Sequence, residues 1–379
     1  MQFKSNLFFN WGVGDHWGWG VYGFNLLYWS MIEGDLLPVP IVWPPSFRYP
    51  QDPITHGLIK QAESKWQSGI EAKDGDIMLS ALGNTINKQS ITKKLHEVGV
   101  IFFETNPLPK IEQCKLCDFE LVIAGSSWNQ NALLNMGINN SVTVIQGVNH
   151  ELFKPRAKKV FRDRFVVFSG GKLEYRKGQD ILLRAFSIFA KKHSDALLIT
   201  SWRSDWEKEF SESVNKSNLC SDLRMGDNFN SSVGEWIEKN GVSKSQYLIL
   251  DSISNSMMAN VYPEADVAIF PNRCEGGTNL VAMEAISSGL TCIISANTGH
   301  LDIIKDGNCI PLSDQKLLTS DGVFGWGESS VDEIVSHLES IYDHGLLNKD
   351  AVSSSLAGYS WEKSIKLLRD TIKSHTNSY

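Results

Sequence analysis

VAIFPNRCEGGTNLVAMEAISSGLTCIISA, residues 267–296, holds two short apolar runs separated by a glycine turn and a helix-forming stretch. Neither run alternates apolar with polar residues. Such runs suit strands buried on both faces, and a helix between them makes a parallel βαβ unit. The pattern recurs upstream in FVVFSGG (165–171), ALLITSW (196–202) and YLILDS (247–252), which complete a predicted parallel sheet. The helix after the first of these strands shows Ile181, Leu182, Ala185, Phe186 and Phe189 on one face. A separate series precedes it: LFFNWG (7–12), PVPIVW (38–43), DIMLSAL (76–82), VGVIFFET (98–105), LVIAGS (121–126) and VTVIQG (142–147). Helical stretches such as LIKQAESKWQ and WNQNALLNMGI lie between them. The fold class is therefore α/β, with two Rossmann-like doubly wound domains. The basic segment KPRAKKVFRDR interrupts both periodicities, which sets the boundary near Pro155: residues 1–155 form one domain and 156–358 the other.

Bulk composition agrees with two domains. A chain of 379 residues exceeds what one hydrophobic core usually supports. The net charge of −7 argues against a nucleic-acid partner, which would need a basic face. No apolar stretch reaches the length of a membrane span; Asp74, Asp76, Lys93 and Lys94 punctuate the nearest ones. The N-terminal MQFKSNLFFNWG lacks a signal-peptide pattern, so a cytoplasmic location is expected. Five of the twelve tryptophans fall in the first 45 residues, which suits either a carbohydrate-facing surface or a core. Cys114 and Cys117 form an isolated CxxC without a second ligand pair, and read as two partly buried thiols in mid-helix. Asp74-Gly75-Asp76 precedes a strand and reads as a turn rather than a metal motif, so no metal is expected.

In doubly wound sheets ligands bind beyond the carboxyl ends of the strands. After the run 267–272 come Glu275, a Gly-Gly-Thr-Asn turn and a helix carrying Glu284. The turn and helix start, Gly276 to Leu280, would offer backbone N–H groups to a phosphate. Glu275 can accept hydrogen bonds from sugar hydroxyls, and Glu284, about two turns into the helix, can reach a ribose diol. The plainer alternative is two solvated carboxylates flanking a loop. The loop after the first run, NWGVGDHWGWGVYGFNLL, carries Gly12, Gly14, Gly18, Gly20 and Gly23. Its spacing is neither a dinucleotide fingerprint nor a P-loop, so it is either an anion cradle or a flexible or tightly packed loop.

On these residues the chain resembles the retaining GT-B glycosyltransferases of family 4 (group 1). That family carries two glutamates after a C-domain strand with seven residues between them; here eight separate Glu275 from Glu284. FSGGKLEYRKGQDILLRAF (168–186) is similar to the family's basic phosphate-binding stretch, with Lys172 and Lys177 as its cations and Arg176 beside the second. EAISSGL (284–290), ANTGHLDIIKDGN (296–308), AGSSWNQNALLNMGI (124–138) and the crossover VTVIQGVNHELFKP (142–155) match further family segments, with Asn149 where Asp is common. YSWEKSIKLLRDTI (359–372) resembles the terminal helix that returns to the N-terminal domain, so 359–373 is expected to join residues 1–155.

The resemblance implies a GT-B fold and a metal-independent, retaining hexosyl transfer from a nucleoside diphosphate sugar, GDP-mannose or UDP-hexose, without a cofactor. The donor would lie between the two domains, with a glycan or lipid-linked acceptor on the N-terminal one. The setting would be polysaccharide biosynthesis, and a lipid-linked acceptor would bring the chain to the inner face of the membrane. Lys172, Lys177, Glu275 and Glu104 are then the catalytic candidates. Gly18, Gly20, Gly171, Thr278, Asn279, Leu280 and Glu284 are the donor contacts. Glu104 in VIFFETNPLP either stabilises charge at the anomeric carbon or caps the next turn. Asp15 and His16 are candidates for the acceptor. Two other functions remain open: a sugar-nucleotide epimerase of the same architecture, and a catalytically silent sugar-nucleotide-binding protein.

Overall fold

The computed structural model describes residues 5–48, 51–88, 94–203 and 208–376. The chain forms two compact units. One comprises Met1–Gly147, Ser254–Ser256 and Gly358–Tyr379; the other comprises Val148–Ile253 and Met257–Ala357.

The first unit holds a six-stranded parallel sheet of β1 (Ser5–Phe9), β2 (Leu36–Pro40), β3 (Ile77–Leu82), β4 (His96–Ile101), β5 (Leu121–Ala124) and β6 (Ser141–Thr143). Their spatial order is β2-β1-β3-β4-β5-β6. The uninterrupted apolar runs read from the sequence are these strands, and Ile77, Met78, Leu79 and the whole of β5 are fully buried. The last helix, Trp361–Thr376, belongs to this unit. Ser364 donates to the Ile145 carbonyl at 2.6 Å, and the Tyr22 and Trp361 rings lie 5.6 Å apart. At the far end of the helix Arg369 and Lys373 both pair with Asp35.

The second unit holds β7 (Phe165–Gly171), β8 (Ala196–Trp202), β9 (Tyr247–Ile249), β10 (Val267–Phe270), β11 (Thr291–Ser295) and β12 (Ile310–Leu312). They are ordered β12-β11-β10-β7-β8-β9, all parallel. Ile181, Leu182, Ala185, Phe186 and Phe189 of the helix Gln179–Ala190 pack into its core, as their spacing implies. The strand order reverses between β7 and β10, and at such a switch point the loops leaving two neighbouring strands part and leave a crevice.

Three details differ from the sequence reading. The change of unit comes at Gly147–Val148, not at Pro155. The chain reaches the second unit early because Phe153 is buried there, its carbonyl held by Ser287 Oγ at 2.8 Å and its ring 5.8 Å from Tyr262. The basic segment is docked rather than a linker: Lys158 pairs with Asp266 at 2.6 Å, and Glu264 accepts the backbone N–H groups of Lys159, Val160 and Phe161. Secondly, β12 and an antiparallel hairpin, Gln315–Leu317 with Gly327–Ser329, carried no sequence signal, because Pro311 interrupts the first and the other two are largely polar. Thirdly, Cys114 and Cys117 are exposed, the first within the last turn of the short helix Lys110–Leu116 and the second at its C-cap. Asp74–Asp76 is a turn, with Gly75 at φ 88° and Asp76 accepting from the Asn6 and Lys73 N–H groups at 2.9 Å. Among the described residues no helix is long and apolar enough to cross a membrane.

Candidate active site

The site grows from the exits of β7 and β10, on either side of the switch point. Strand β7 ends in Gly170-Gly171, and Gly171 has φ 121°, a conformation that L side chains rarely adopt. The chain then passes Lys172 and makes a single 3₁₀ turn, Tyr175–Lys177, closed by Gly178 at φ 70°. A Cβ on Gly178 would lie 2.1 Å from the Pro271 carbonyl oxygen, so only glycine lets this turn rest on the exit of β10. That close approach delivers Arg176 and Lys177 to Glu275.

Glu275 is buried, and both of its oxygens are engaged. Lys177 Nζ and Asn272 Nδ2 donate to Oε1, and Arg176 Nη1 lies 3.2 Å from Oε2. The Glu275 N–H donates to Thr298 Oγ1 at 2.8 Å, and its carbonyl accepts from Gly299 N at 3.0 Å. Burial works to raise this carboxyl, but the Lys177 ammonium and Arg176 guanidinium overcome it and hold it down at about 2. Glu275 is therefore an anion matched to two cations inside the protein.

Beside it the turn Gly276–Asn279 leads into the helix Leu280–Ser287. Asn279 stands at its N-cap with φ 64°, and its side chain makes no capping hydrogen bond. The helix N-terminus thus keeps N–H groups that this side chain does not cap, next to the cationic turn. Thr278 is buried, its Oγ1 3.1 Å from Met283 Sδ. Asn279 Nδ2 lies 3.1 Å from Nε2 of His300, whose Nδ1 faces the Ser295 carbonyl at 3.1 Å. This network assigns the ring proton to Nδ1, with Nε2 accepting from the amide. Burial drives the His300 pKa down to about 4, against the pull of nearby Glu275.

The His300 shift has a direct consequence for stability. The unfolded chain binds a proton near the ordinary value of 6.5, whereas the folded chain resists protonation until about 4. This contribution to stability is therefore complete above 6.5 and is lost as the pH falls towards 4, by on the order of 3 kcal/mol. The unfolding midpoint should drop across that window, and His300→Gln should flatten the drop. A wild-type midpoint constant between pH 6.5 and 4 would contradict the neutral assignment.

Glu284 is the fifth residue of its helix, one turn in rather than two. It is buried, and Tyr262 donates its hydroxyl to Oε2 at 2.9 Å. Burial and the Glu284 charge both push the Tyr262 hydroxyl well above its usual range, so it remains a donor. If Glu284 holds the ribose diol, Glu284→Ala should weaken nucleoside diphosphate binding by roughly 2–3 kcal/mol, the scale of charge-assisted hydrogen bonds. An unchanged dissociation constant in a folded variant would remove Glu284 from the site.

Lys172 stands exposed after β7, its carbonyl accepting from Gln179 Nε2 at 2.6 Å. Arg176, read from the sequence as a neighbour of Lys177, is the second cation on Glu275. Sequence reasoning missed Arg273 altogether. Its guanidinium is fully buried and forms a fork with Asp180, at 2.9 and 2.6 Å. The available signal was a charged residue, Asp180, beside the apolar face of an amphipathic helix.

In the first unit the glycine loop is tightly packed. A Cβ on Gly20 would lie 2.6 Å from the Trp17 indole, and one on Gly14 2.2 Å from the same ring. Gly20 thus makes room for Trp17, and Gly18 opens the helix Gly18–Glu33 and is exposed. Asp15 is buried and accepts the Arg48 N–H at 2.9 Å, with His16 Nδ1 at 3.3 Å. It anchors the loop after β2. Glu104 is half-buried; Asn84 Oδ1 accepts its N–H at 2.8 Å, and Asn84 Nδ2 lies 3.4 Å from its carboxylate.

Residues 153–323, most of the second unit, match the family model of glycosyl transferases group 1. The match makes this unit similar to that family over somewhat less than half of the chain. An uncharacterized glycosyltransferase of Methanocaldococcus jannaschii is 31% identical over 81 residues, 21% of this chain and 20% of that protein. The match thus spans about a fifth of the relative's length. Sucrose-phosphate synthase from Thermosynechococcus elongatus is structurally similar, with a TM-score of 0.69 at 12% identity over 99% of this chain and 100% of that one. HepE from Anabaena, solved with UDP and glucose, has a TM-score of 0.61 at 14% identity over 98% of this chain and 100% of that one. Trehalose 6-phosphate synthase from Burkholderia multivorans has a TM-score of 0.64 at 10% identity, covering 98% and 99% of the two chains. These similarities establish the GT-B fold.

Proposed function

We propose that the protein transfers a hexosyl group from a nucleoside diphosphate sugar to a hydroxyl of a glycan or lipid-linked acceptor, with retention of configuration. The observation that carries this reading is the convergence of Lys177 and Arg176 on buried Glu275, beside an uncapped helix N-terminus at the switch point of a doubly wound sheet. Two fixed cations and free N–H groups suit a diphosphate. Glu275 uses two acceptor positions on Oε1 and one on Oε2, and a carboxylate has about four, so capacity for a sugar hydroxyl remains. HepE, a protein of this fold, is solved with UDP-glucose, which supports a UDP-hexose as donor; GDP-mannose is the other candidate.

In the reaction, the acceptor oxygen bonds to the anomeric carbon while the bond from that carbon to the phosphate oxygen breaks. The bonding pair leaves with the diphosphate, and the acceptor proton passes to a phosphate oxygen on the same face. Charge grows on the phosphate as the bond breaks, and Lys177 and Arg176 stabilise it more in the transition state than in the ground state. Lys172, the first basic residue after β7, adds to this positive field. We assign the neutralising charge to these side chains and infer that neither a metal ion nor a cofactor is needed. A lipid-linked acceptor would place the protein at the cytoplasmic face of a membrane.

The test is thermal unfolding against a panel of nucleoside diphosphate sugars, with and without EDTA. A donor at a hundred times its dissociation constant should stabilise the protein by about 2.7 kcal/mol. That stabilisation, and acceptor-dependent release of nucleoside diphosphate, should persist in EDTA. Stabilisation that appears only with Mg²⁺ or Mn²⁺ would overturn the metal-independent reading. Conversion of donor to an epimer without acceptor would overturn the transferase.

A further inference from the structure

The Tyr175–Lys177 turn is held from beneath by a residue outside it. Arg273 leaves β10 two residues before Glu275, and its side chain is wholly buried. Its Nη1 donates to the Tyr175 carbonyl at 2.7 Å and to Asp180 Oδ1 at 2.9 Å. Its Nη2 donates to Asp180 Oδ2 at 2.6 Å and lies 2.8 Å from Glu328 Oε2, which Nε also meets at 2.8 Å. Four of the five N–H donors of the guanidinium are thus hydrogen-bonded, and both carboxylates lie against it. The Arg273 backbone N–H also donates to the Arg176 carbonyl at 2.7 Å, and the guanidinium lies over the Tyr175 ring, 4.0 Å from its centroid.

One side chain thus ties four pieces together: the loop bearing Glu275, the turn bearing Arg176 and Lys177, the first turn of the helix Gln179–Ala190, and the hairpin at Glu328. A buried ion pair is a poor source of stability, because desolvation of both charges offsets their attraction and an apolar pair often serves as well. What the fork adds is a fixed relative position for two loops that come from strands far apart in the chain. Displacement by about an ångström would spoil the convergence of cations that a diphosphate needs.

We propose that Arg273, through its buried pair with Asp180, is a positioning residue that aligns Arg176 and Lys177 with the donor diphosphate. The inference rests on the reading of those two cations as the diphosphate site.

The test measures binding of UDP, GDP and inorganic pyrophosphate to the full chain by calorimetry, with unfolding midpoints recorded in parallel. Four proteins are compared: wild type, Lys177→Ala, the paired variant Arg273→Met with Asp180→Leu, and all three substitutions together. The paired variant strands neither Arg273 nor Asp180, and the Glu328 carboxylate, which loses Arg273, is 22% exposed and reaches water. It should weaken the tightest-bound nucleotide and pyrophosphate about tenfold, within the range of coupling between residues in contact. In the Lys177→Ala background the same pair of changes should cost less, because one of the two cations it positions is gone. A merely structural pair would shift the midpoint and leave both affinities alone. Arg273→Lys retains the charge but not the fork, and should show a smaller loss; it replaces the paired variant if that one does not fold.

Unchanged affinity in the paired variant, or in Arg273→Lys if it stands in, overturns the positioning role when Lys177→Ala does weaken binding. Equal losses from the pair with and without Lys177 overturn it as well. Lys177→Ala without effect on any of the three ligands instead overturns the diphosphate site on which the inference rests.

Discussion

Replacing Lys177 by Ala is expected to lower kcat at least about 100-fold, the scale of removing one donor from an oxyanion site. Lys177 Nζ is the direct partner of Glu275 Oε1, and only 12% of its side chain is exposed, so water cannot substitute for it freely. Donor affinity should fall by a smaller factor, because the diphosphate is already charged before reaction while the departing phosphate oxygen gains charge during it. Arg176 remains on Glu275 in this variant and keeps part of the positive field. Lys177→Arg should rescue partially, since a planar fork replaces a compact ammonium. The measurement is kcat and donor dissociation constant for the three proteins with a competent acceptor. Equal losses in turnover and affinity would reduce Lys177 to a binding residue, and no loss in either would exclude it.

Arg273→Ala should have the largest effect on stability. It leaves Asp180 fully buried and without its fork, and breaking a buried pair in this way costs about 3–5 kcal/mol. For a unit of this size each kcal/mol lowers the unfolding midpoint by roughly 2–4 °C, so the expected drop is roughly 6–20 °C. The paired variant Arg273→Met with Asp180→Leu should unfold much closer to wild type, because no fully buried charge is stranded and Glu328 is partly exposed. Calorimetry of the two variants decides this. A loss below 1 kcal/mol for Arg273→Ala would mean that water or local relaxation reaches Asp180.

The tandem strands were legible from the sequence because each apolar run is a local record of burial on both faces. FVVFSGG, ALLITSW and VAIF need no distant residue to be read as strands, and β7, β8 and β10 lie where those runs predict. The pair of glutamates with a glycine turn between them was legible for the same reason. The glycine loop was not, since clusters of glycine look alike whether they cradle a ligand or admit a bulky neighbour. Here the neighbour is Trp17, whose ring fills the space beside Gly14 and Gly20. Asp15 likewise looked available in the sequence and proved to be tied to the Arg48 backbone.

The sequence by itself determined the two parallel sheets, the strand-end location of Glu275 and the basic turn after β7, because periodicity and punctuation act within a few residues. Which cation meets which carboxylate was decided only by tertiary structure. Lys177 and Glu275 are 98 residues apart in the chain, and Arg273 and Asp180 are 93 apart. Nothing in local spacing ranks Arg176 above Lys172 as the second partner of Glu275, nor marks Arg273 as the residue beneath them both. Those contacts exist because β7 and β10 lie side by side in the sheet, and because Gly178 lets one loop lie against the exit of the other.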